Sequence, residues 1–196
     1  GIGIYQENGT NITYTGKLDI KGASTAADQG IGVYTKAGSQ FNLAAGGDIK
    51  IGGTNNIGFY VESGGVLNVT GGTVTNTEDG IFAYLEGGNM TFTGGGTNIN
   101  YANVIVASGG SLLNQTAIAT GKTGLQATGE SSLLVPSTIL NDTNGIINSS
   151  TLNAVAITGL DKAYIENKGK INLSGEGSIG MYVRDAEGLT TGEVNT

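Results

Sequence analysis

The sequence contains no cysteine, no histidine and no tryptophan, and its only proline is Pro136. Without cysteine the chain has no disulfide, which suits a protein that is threaded unfolded across an envelope, although it neither proves nor excludes export. The missing histidine and cysteine remove two residue types on which hydrolase and lyase sites often depend. No apolar run approaches the 18 residues that a membrane-spanning helix needs. No window of 12 or more residues has its apolar residues at the 3.6-residue spacing of an amphipathic helix.

Glycine dominates what is present, with 36 residues among 196. Asparagine, threonine and serine fill much of the rest, and they alternate with valine, isoleucine and leucine. Glycine and asparagine accept the positive φ of tight turns, so this composition predicts many short strands joined by such turns.

One short phrase, Ile-Gly-x-Tyr, recurs along the chain. It ends at Tyr5, Tyr34, Tyr60 and Tyr182, with intervals of 29 and 26 residues between the first three. Weaker copies are Ile81–Tyr84, Val104–Val106, Gly124–Gln126, Gly145–Ile147 and Ala163–Tyr164. A strand restated at this interval indicates a stack of similar coils, here about nine, whose corners tolerate insertions.

Each coil contains three strand-like pieces. Ile31–Thr35 is followed by Gln40–Leu43 and then by Asp48–Ile51, with a turn after each piece. Because the phrase returns after three strands, like strands become hydrogen-bonded neighbours about 4.8 Å apart. The pattern predicts an all-β, three-sided parallel β-helix over residues 1–196, and the crossover rule makes it right-handed.

Alternation within these strands predicts the core. Odd positions of Ile31–Thr35 should point inward, whereas Gly32, Tyr34 and Lys36 should point outward. The residues expected to be buried are Ile31, Val33, Phe41, Leu43, Ile57, Phe59, Leu67, Val69, Ile171, Leu173, Ile179 and Met181.

The charge is sparse and acidic. The chain has 9 basic and 16 acidic residues, a net charge of -7. This charge disfavours nucleic acid and anionic membrane surfaces as partners and suits a soluble, monomeric rod. No capping helix or polar cap is evident at either end of the repeat, so we expect a single segment cut from a longer solenoid.

No catalytic or metal constellation stands out. The close acidic pairs are Glu78-Asp79 and Asp185-x-Glu187, and the only arginine is Arg184. Solvated turn carboxylates explain both pairs better than general acid–base chemistry, and no tandem nonapeptide supplies calcium ligands. We therefore expect no enzyme activity, no cofactor and no metal, with a β-helical polysaccharide-binding or polysaccharide-degrading protein as the alternative.

Eight Asn-x-Ser/Thr triplets occur, among them those at Asn68, Asn114 and Asn141. An asparagine- and threonine-rich chain produces such triplets by chance, so we do not interpret them as glycosylation sites.

The tyrosines are the candidate binding residues. Alternation places Tyr5, Tyr34, Tyr60 and Tyr84 one above another on an outer face, where an exposed aromatic column could contact a glycan or a protein. The same column would equally serve to stabilise the sheet by neighbour stacking.

Two residues beyond each of these tyrosines lies a charged residue. Glu7, Lys36, Glu62 and Glu86 follow one another in this position. Lys36 should therefore lie between Glu7 and Glu62, while Glu62 and Glu86 should be adjacent like charges that splay into water or share a cation. Glu166 and Arg184 are expected to form a further pair.

The repeats resemble the passenger regions of large bacterial autotransporter adhesins, especially the long fusobacterial kind. The phrases that carry the resemblance are Gly30–Tyr34, Gly64–Gly72 and Glu166–Tyr182, and the similarity of repeat style extends over the whole chain. It implies secretion through an outer-membrane barrel outside this sequence and display at the bacterial surface, or release. It also implies a role as stalk or adhesin towards a host or neighbouring-cell surface protein or glycan.

Overall fold

The computed structural model describes residues 1–21, 30–53, 56–76, 80–94, 98–100, 103–130 and 134–196. These residues form short strands and turns and contain no helix. Every pairing between the described strands is parallel, and except at the ends of the sheets each strand pairs with the equivalent strand of the coil before and after it. The predicted three-sided parallel β-solenoid is confirmed.

The strands fall on three faces. The first face is one eight-stranded sheet of β1 (Ile2–Gln6), β4 (Ile31–Thr35), β7 (Ile57–Glu62), β10 (Ile81–Glu86), β13 (Val104–Ala107), β16 (Thr123–Thr128), β19 (Val155–Leu160) and β22 (Ile179–Arg184). The second face is another eight-stranded sheet of β2 (Asn11–Tyr14), β5 (Gln40–Leu43), β8 (Val66–Val69), β11 (Asn89–Phe92), β14 (Ser111–Asn114), β17 (Thr138–Asn141), β20 (Tyr164–Asn167) and β23 (Glu187–Thr190).

The third face is divided into two four-stranded sheets. The earlier sheet contains β3 (Lys17–Ile20), β6 (Asp48–Ile51), β9 (Thr73–Asn76) and β12 (Asn98–Asn100). The later sheet contains β15 (Ala117–Ala119), β18 (Ile146–Ser149), β21 (Lys170–Leu173) and β24 (Glu193–Asn195).

The chain makes about seven turns rather than the predicted nine. The first face contains eight strands, and each is one turn from the next, so seven turns separate the first from the last. Two phrases that we assigned to the first face belong elsewhere: Gly145–Ile147 overlaps β18 on the third face, and Tyr164 begins β20 on the second. The true first-face strand of that coil is β19, which has Thr158 in place of tyrosine. At about 4.8 Å between strands, eight strands span roughly 34 Å.

The first corner of each early coil is a glycine turn. Gly9, Gly38 and Gly64 occupy equivalent positions with φ of 74°, 75° and 78°. A side chain is strained in this left-handed region, which explains why the early coils keep glycine there. Gly109 keeps glycine at this position in a later coil with φ of 78°, and Ser108 before it has φ of 53°. A still later coil has Lys162 at this position, with φ of 65°.

The core is continuous along the stack. Nine of the twelve residues expected inside are buried, including Val33, Phe41, Phe59 and Ile171. Four phenylalanines extend one aromatic cluster through neighbouring coils, with ring centroids 5.7 Å apart for Phe41 and Phe59 and 5.4 Å for Phe59 and Phe82. These contacts link consecutive coils inside the solenoid, as the backbone hydrogen bonds link them within each face.

Three of the twelve residues predicted to be buried are not buried. Ile31 and Met181 are only partly buried, and Ile179 is 43% exposed. In β4, β10 and β19 the first residue is only partly buried, whereas the next two residues are both buried. Ile57 is nevertheless buried, since Ile31 and Ile81 flank it, whereas Ile179 lies in the last strand of its sheet.

The outward assignment of Gly32 was also wrong. A Cβ built on Gly32 would lie 2.3 Å from Cδ1 of Ile20, the last residue of the preceding third-face strand. A Cβ built on Gly58 would lie equally close to Cδ1 of Ile51, the last residue of the next third-face strand. Glycine is therefore needed at this inner corner because an isoleucine from the third face already fills it.

We expect Phe59→Ala to lower the free energy of unfolding by about 3 to 5 kcal/mol, since the ring is 1% exposed and contacts two other phenylalanines. Urea unfolding followed by circular dichroism measures the change. The matched control is Leu152→Ala, because Leu152 is 57% exposed and its change should stay within about 0.5 kcal/mol. Equal effects of the two changes would contradict the assigned core.

Candidate functional site: the tyrosine–glutamate column

The four candidate tyrosines form one column on the first face. Tyr5 pairs with Tyr34, Tyr34 with Tyr60, and Tyr60 with Tyr84 in the strand register. Tyr5 is 49% exposed and the other three are partly buried. The same position continues through Ile105, Gln126 and Thr158 to Tyr182. The column predicted from alternation is therefore present, and its binding role stays a prediction.

The rings stack on one another rather than presenting their faces to solvent. Ring centroids lie 5.5 Å apart for Tyr5 and Tyr34, 4.9 Å for Tyr34 and Tyr60, and 5.5 Å for Tyr60 and Tyr84. The interplanar angle between Tyr34 and Tyr60 is only 11°. Both faces of the two inner rings are thus occupied by neighbouring rings, and the column offers a partner mainly ring edges and hydroxyls.

The hydroxyls bind carboxylates of the next coil. The Tyr34 hydroxyl donates to Oε1 of Glu62 at 2.5 Å, and the Tyr60 hydroxyl donates to Oε2 of Glu86. Each glutamate lies two residues beyond the tyrosine that stacks on the donor. A neutral hydroxyl that donates to a carboxylate forms a charge-assisted hydrogen bond, so these contacts join the coils along the column.

Tyr5 departs from this pattern because lysine replaces glutamate in the next coil. Lys36 cannot accept a hydrogen bond, and the Tyr5 hydroxyl donates instead to Oε2 of Glu7 in its own coil at 3.1 Å. Nζ of Lys36 lies 5.9 Å from the Tyr5 ring centroid, within reach of a cation–π interaction. The strand register places Lys36 between Glu7 and Glu62, as expected, and both carboxylates contribute to the raised pKa of Lys36, after the interaction with Tyr5.

The carboxylates alter the acidity of the tyrosines. The hydrogen bond to Glu62 is the largest cause that raises the pKa of Tyr34 to about 12, and burial adds to it. For Tyr60, burial is the largest cause of a raised pKa, followed by the hydrogen bond to Glu86. Both hydroxyls therefore remain protonated donors well above neutral pH.

Glu62 and Glu86 are directly opposite in the strand register, as expected. They line a shallow cavity of about 310 Å³ with Ser63 and Ser108. Within the described residues no three acidic, histidine or cysteine side chains lie close enough to hold a metal ion. The two carboxylates instead each accept a tyrosine hydroxyl, which lessens the cost of placing like charges together.

The predicted pair of Glu166 and Arg184 was wrong. Glu166 lies on the second face and contacts Lys168, with Nζ and Oε2 3.4 Å apart, whereas Arg184 lies on the first face opposite Leu160. The error has the same source as the coil count, because Tyr164 was assigned to the wrong face.

One of the two acidic pairs lies in a cavity. Asp185 and Glu187 line a space of about 590 Å³ with Glu130, Lys162 and Tyr164. Burial is the largest cause that raises the pKa of Tyr164. The pair Glu78-Asp79 falls outside the described residues.

Sequence reasoning missed a buried asparagine ladder inside the second face. Asn114, Asn141 and Asn167 are fully buried, and Nδ2 of Asn141 donates to Oδ1 of Asn167 at 2.7 Å. Nδ2 of Asn114 donates to Oδ1 of Asn141 at 2.8 Å. In the earlier coils the same position holds Leu43, Val69 and Phe92.

The recurrence of asparagine at the same strand end was the available signal for this ladder. The burial also supports our decision not to interpret the triplets at Asn114 and Asn141 as glycosylation sites in the folded chain. A fully buried amide cannot carry a glycan without unfolding of its surroundings.

Comparison of the chain with models of known protein families, with curated proteins and with solved structures gave no match in any of the three. No helix in the described part of the chain is long and apolar enough to span a membrane.

We expect Tyr34→Phe to flatten the alkaline loss of stability. The folded pKa of Tyr34 is about 12, above the value of about 10 for an unperturbed tyrosine. The stabilisation is therefore complete below pH 10 and is lost as the pH rises towards 12. Thermal unfolding at half-unit steps from pH 8 to 12 compares the variant with the wild type. Tyr182→Phe, in the same column, is the control, and a Tyr34→Phe profile parallel to the wild type would contradict the assignment.

Proposed function

We propose that this chain is a non-enzymatic segment of a surface-displayed autotransporter passenger, acting as a rigid spacer that can present a ligand-binding face. The observation that carries the proposal is the column of tyrosines and glutamates. Its rings stack across four coils, and its hydroxyls donate to carboxylates of the next coil. Contacts directed along the axis resist bending and separation of the coils, as a stalk requires.

The surface chemistry is consistent with exposure to the extracellular medium. The net charge of -7 keeps rods apart. The chain also has no cysteine whose oxidation could lock it before export. A partner would be a surface protein or glycan of a host or neighbouring cell. The chain itself would meet the membrane only through a translocating barrel.

Surface labelling tests the proposed location. Antibodies raised against the purified chain should label intact, unpermeabilised cells of the source organism, and external protease should remove the signal. An antibody against a cytoplasmic protein, which should label only permeabilised cells, is the control. Labelling by the chain-specific antibody only after permeabilisation would contradict surface display.

A second candidate function, polysaccharide degradation, is favoured by the cavity that contains Asp185 and Glu187. This concave site combines two carboxylates with the basic side chain of Lys162 and the hydroxyl of Tyr164. Against it, Asp185 and Glu187 are both exposed to solvent, where an ordinary solvated carboxylate is expected.

We expect no turnover of acidic or neutral polysaccharides by the purified chain, because Asp185 and Glu187 are exposed and should behave as ordinary solvated carboxylates. The assay measures new reducing ends and unsaturated products over a polysaccharide panel. Turnover that is abolished by Asp185→Asn or Glu78→Gln, and retained in the exposed control Glu176→Gln, would establish the enzymatic alternative.

A further inference from the structure

A second, uncharged groove runs along the later part of the third face. It has a volume of about 520 Å³, and none of the ten residues that line it is charged. Its polar side chains include Asn148, Asn172 and Asn195 on successive strands, with Ser150 and Thr151 at the adjoining corner. Ala119 and Leu173 also line it and supply apolar atoms. This groove is separate from the tyrosine column, which lies on the first face.

The asparagines form an ordered array on the outer side of their strands. Nδ2 of Asn172 donates to Oδ1 of Asn148 at 3.0 Å, and Nδ2 of Asn195 donates to Oδ1 of Asn172 at 2.9 Å. A primary amide has two donor hydrogens and two acceptor lone pairs, so the central Asn172 keeps one of each after these bonds. Asn148 and Asn172 therefore offer unused amide hydrogens in neighbouring coils, about 4.8 Å apart. Both amide hydrogens of Asn195 are used, because its Nδ2 also donates to Oε1 of Glu193 at 3.2 Å.

Thr120, which lines the same groove, gives an independent indication of a ligand. Its side chain is 3% exposed, and its buried Oγ1 has no hydrogen-bond partner. Such groups are uncommon in folded proteins and call for an explanation in each case. A hydroxyl on a molecule bound in the groove would satisfy Oγ1.

We propose that this groove binds an uncharged, extended glycan whose chain lies parallel to the solenoid axis. Successive sugar residues of an extended chain repeat at a distance close to the spacing of the coils, so that their hydroxyls can meet successive amides. The apolar atoms of Ala119 and Leu173 contact the C–H groups of the sugar rings. The inference rests on the proposed adhesin function, for which it supplies the ligand class.

The charge distribution determines which glycans are favoured. The groove has no cation to pair with a carboxylate or sulfate, and the net charge of -7 repels acidic chains. The charges on the same strands are Lys170 and Glu193, which pair with each other at 3.4 Å. Oε1 of Glu193 also accepts from Nδ2 of Asn195, so a carboxylate borders the groove and adds to the repulsion of acidic chains. Neutral glycans should therefore bind better than uronic-acid polymers.

Isothermal titration with soluble neutral oligosaccharides of increasing length tests the proposal, with β-linked glucans, mannans and xylans as probes and oligogalacturonate as the acidic comparison. We expect affinity to rise with length up to about three or four residues and to be weaker for the acidic chain. Asn172→Ala should weaken binding by about three- to tenfold, the effect of losing neutral hydrogen bonds. The matched control is Asn68→Ala, which changes a similar amide bond, Asn68 Nδ2 to Asn42 Oδ1, on the second face.

Thr120→Val separates binding from folding. It removes a hydroxyl that has no partner in the free chain, so the thermal stability should be unchanged or raised while the affinity falls. Neutral glycans that fail to bind the folded chain at millimolar concentration would overturn the proposal. So would binding that is unaffected by both Thr120→Val and Asn172→Ala, or a preference for the acidic chain. Surface labelling is independent of all these results, so their failure would leave the proposed location standing.

Discussion

The structure depends on one constraint, the parallel stacking of like strands in register. Each residue lies beside its equivalent in the next coil, so the side chain chosen at one position must tolerate a copy of itself about 4.8 Å away. Flat rings meet this condition by stacking, and amides meet it by donating to one another. The glutamates do so by accepting tyrosine hydroxyls. The tyrosine column, the asparagine ladders and the core thus all consist of side chains that pack favourably beside the equivalent side chain of the next coil.

Along the stack the inner chemistry changes at the point where the third face divides. The strand-end position of the second face is apolar from Leu43 to Phe92 and is asparagine from Asn114 to Asn167, before Thr190 in the last strand. The third-face sheet ends at β12 and a new sheet begins at β15. The buried asparagines also bond the following turns, as Asn141 does with the carbonyl of Gly145 at 3.3 Å. In the later coils, hydrogen bonds from asparagine amides therefore stabilise the corner after the second face, which apolar packing stabilises in the earlier coils.

The sequence was sufficient to predict the faces that repeat visibly. Tyr34 and Tyr60 mark the first face, and alternation from them predicted both the outer column and most of the core. The sequence was insufficient to assign a segment to its face where two faces have similar residue patterns. Gly145–Ile147 on the third face and Tyr164 on the second both resemble first-face phrases. The inward Gly32 could not be predicted from its own strand, because Ile20 of another strand determines it. The groove around Thr120 likewise depends on residues from four strands and their corners.

A double-mutant cycle on the buried ladder tests the central claim most directly. Asn114→Ala, Asn141→Ala and their combination are compared by urea unfolding, with Asn141 and the distant Asn42 as the control pair. Stacking along the axis predicts a coupling of about 0.5 to 3 kcal/mol between Asn114 and Asn141, whose amides bond at 2.8 Å, and near-additive effects, within about 0.5 kcal/mol, for the control pair. Additive effects in both pairs would contradict the claim that contacts between equivalent residues hold the coils together.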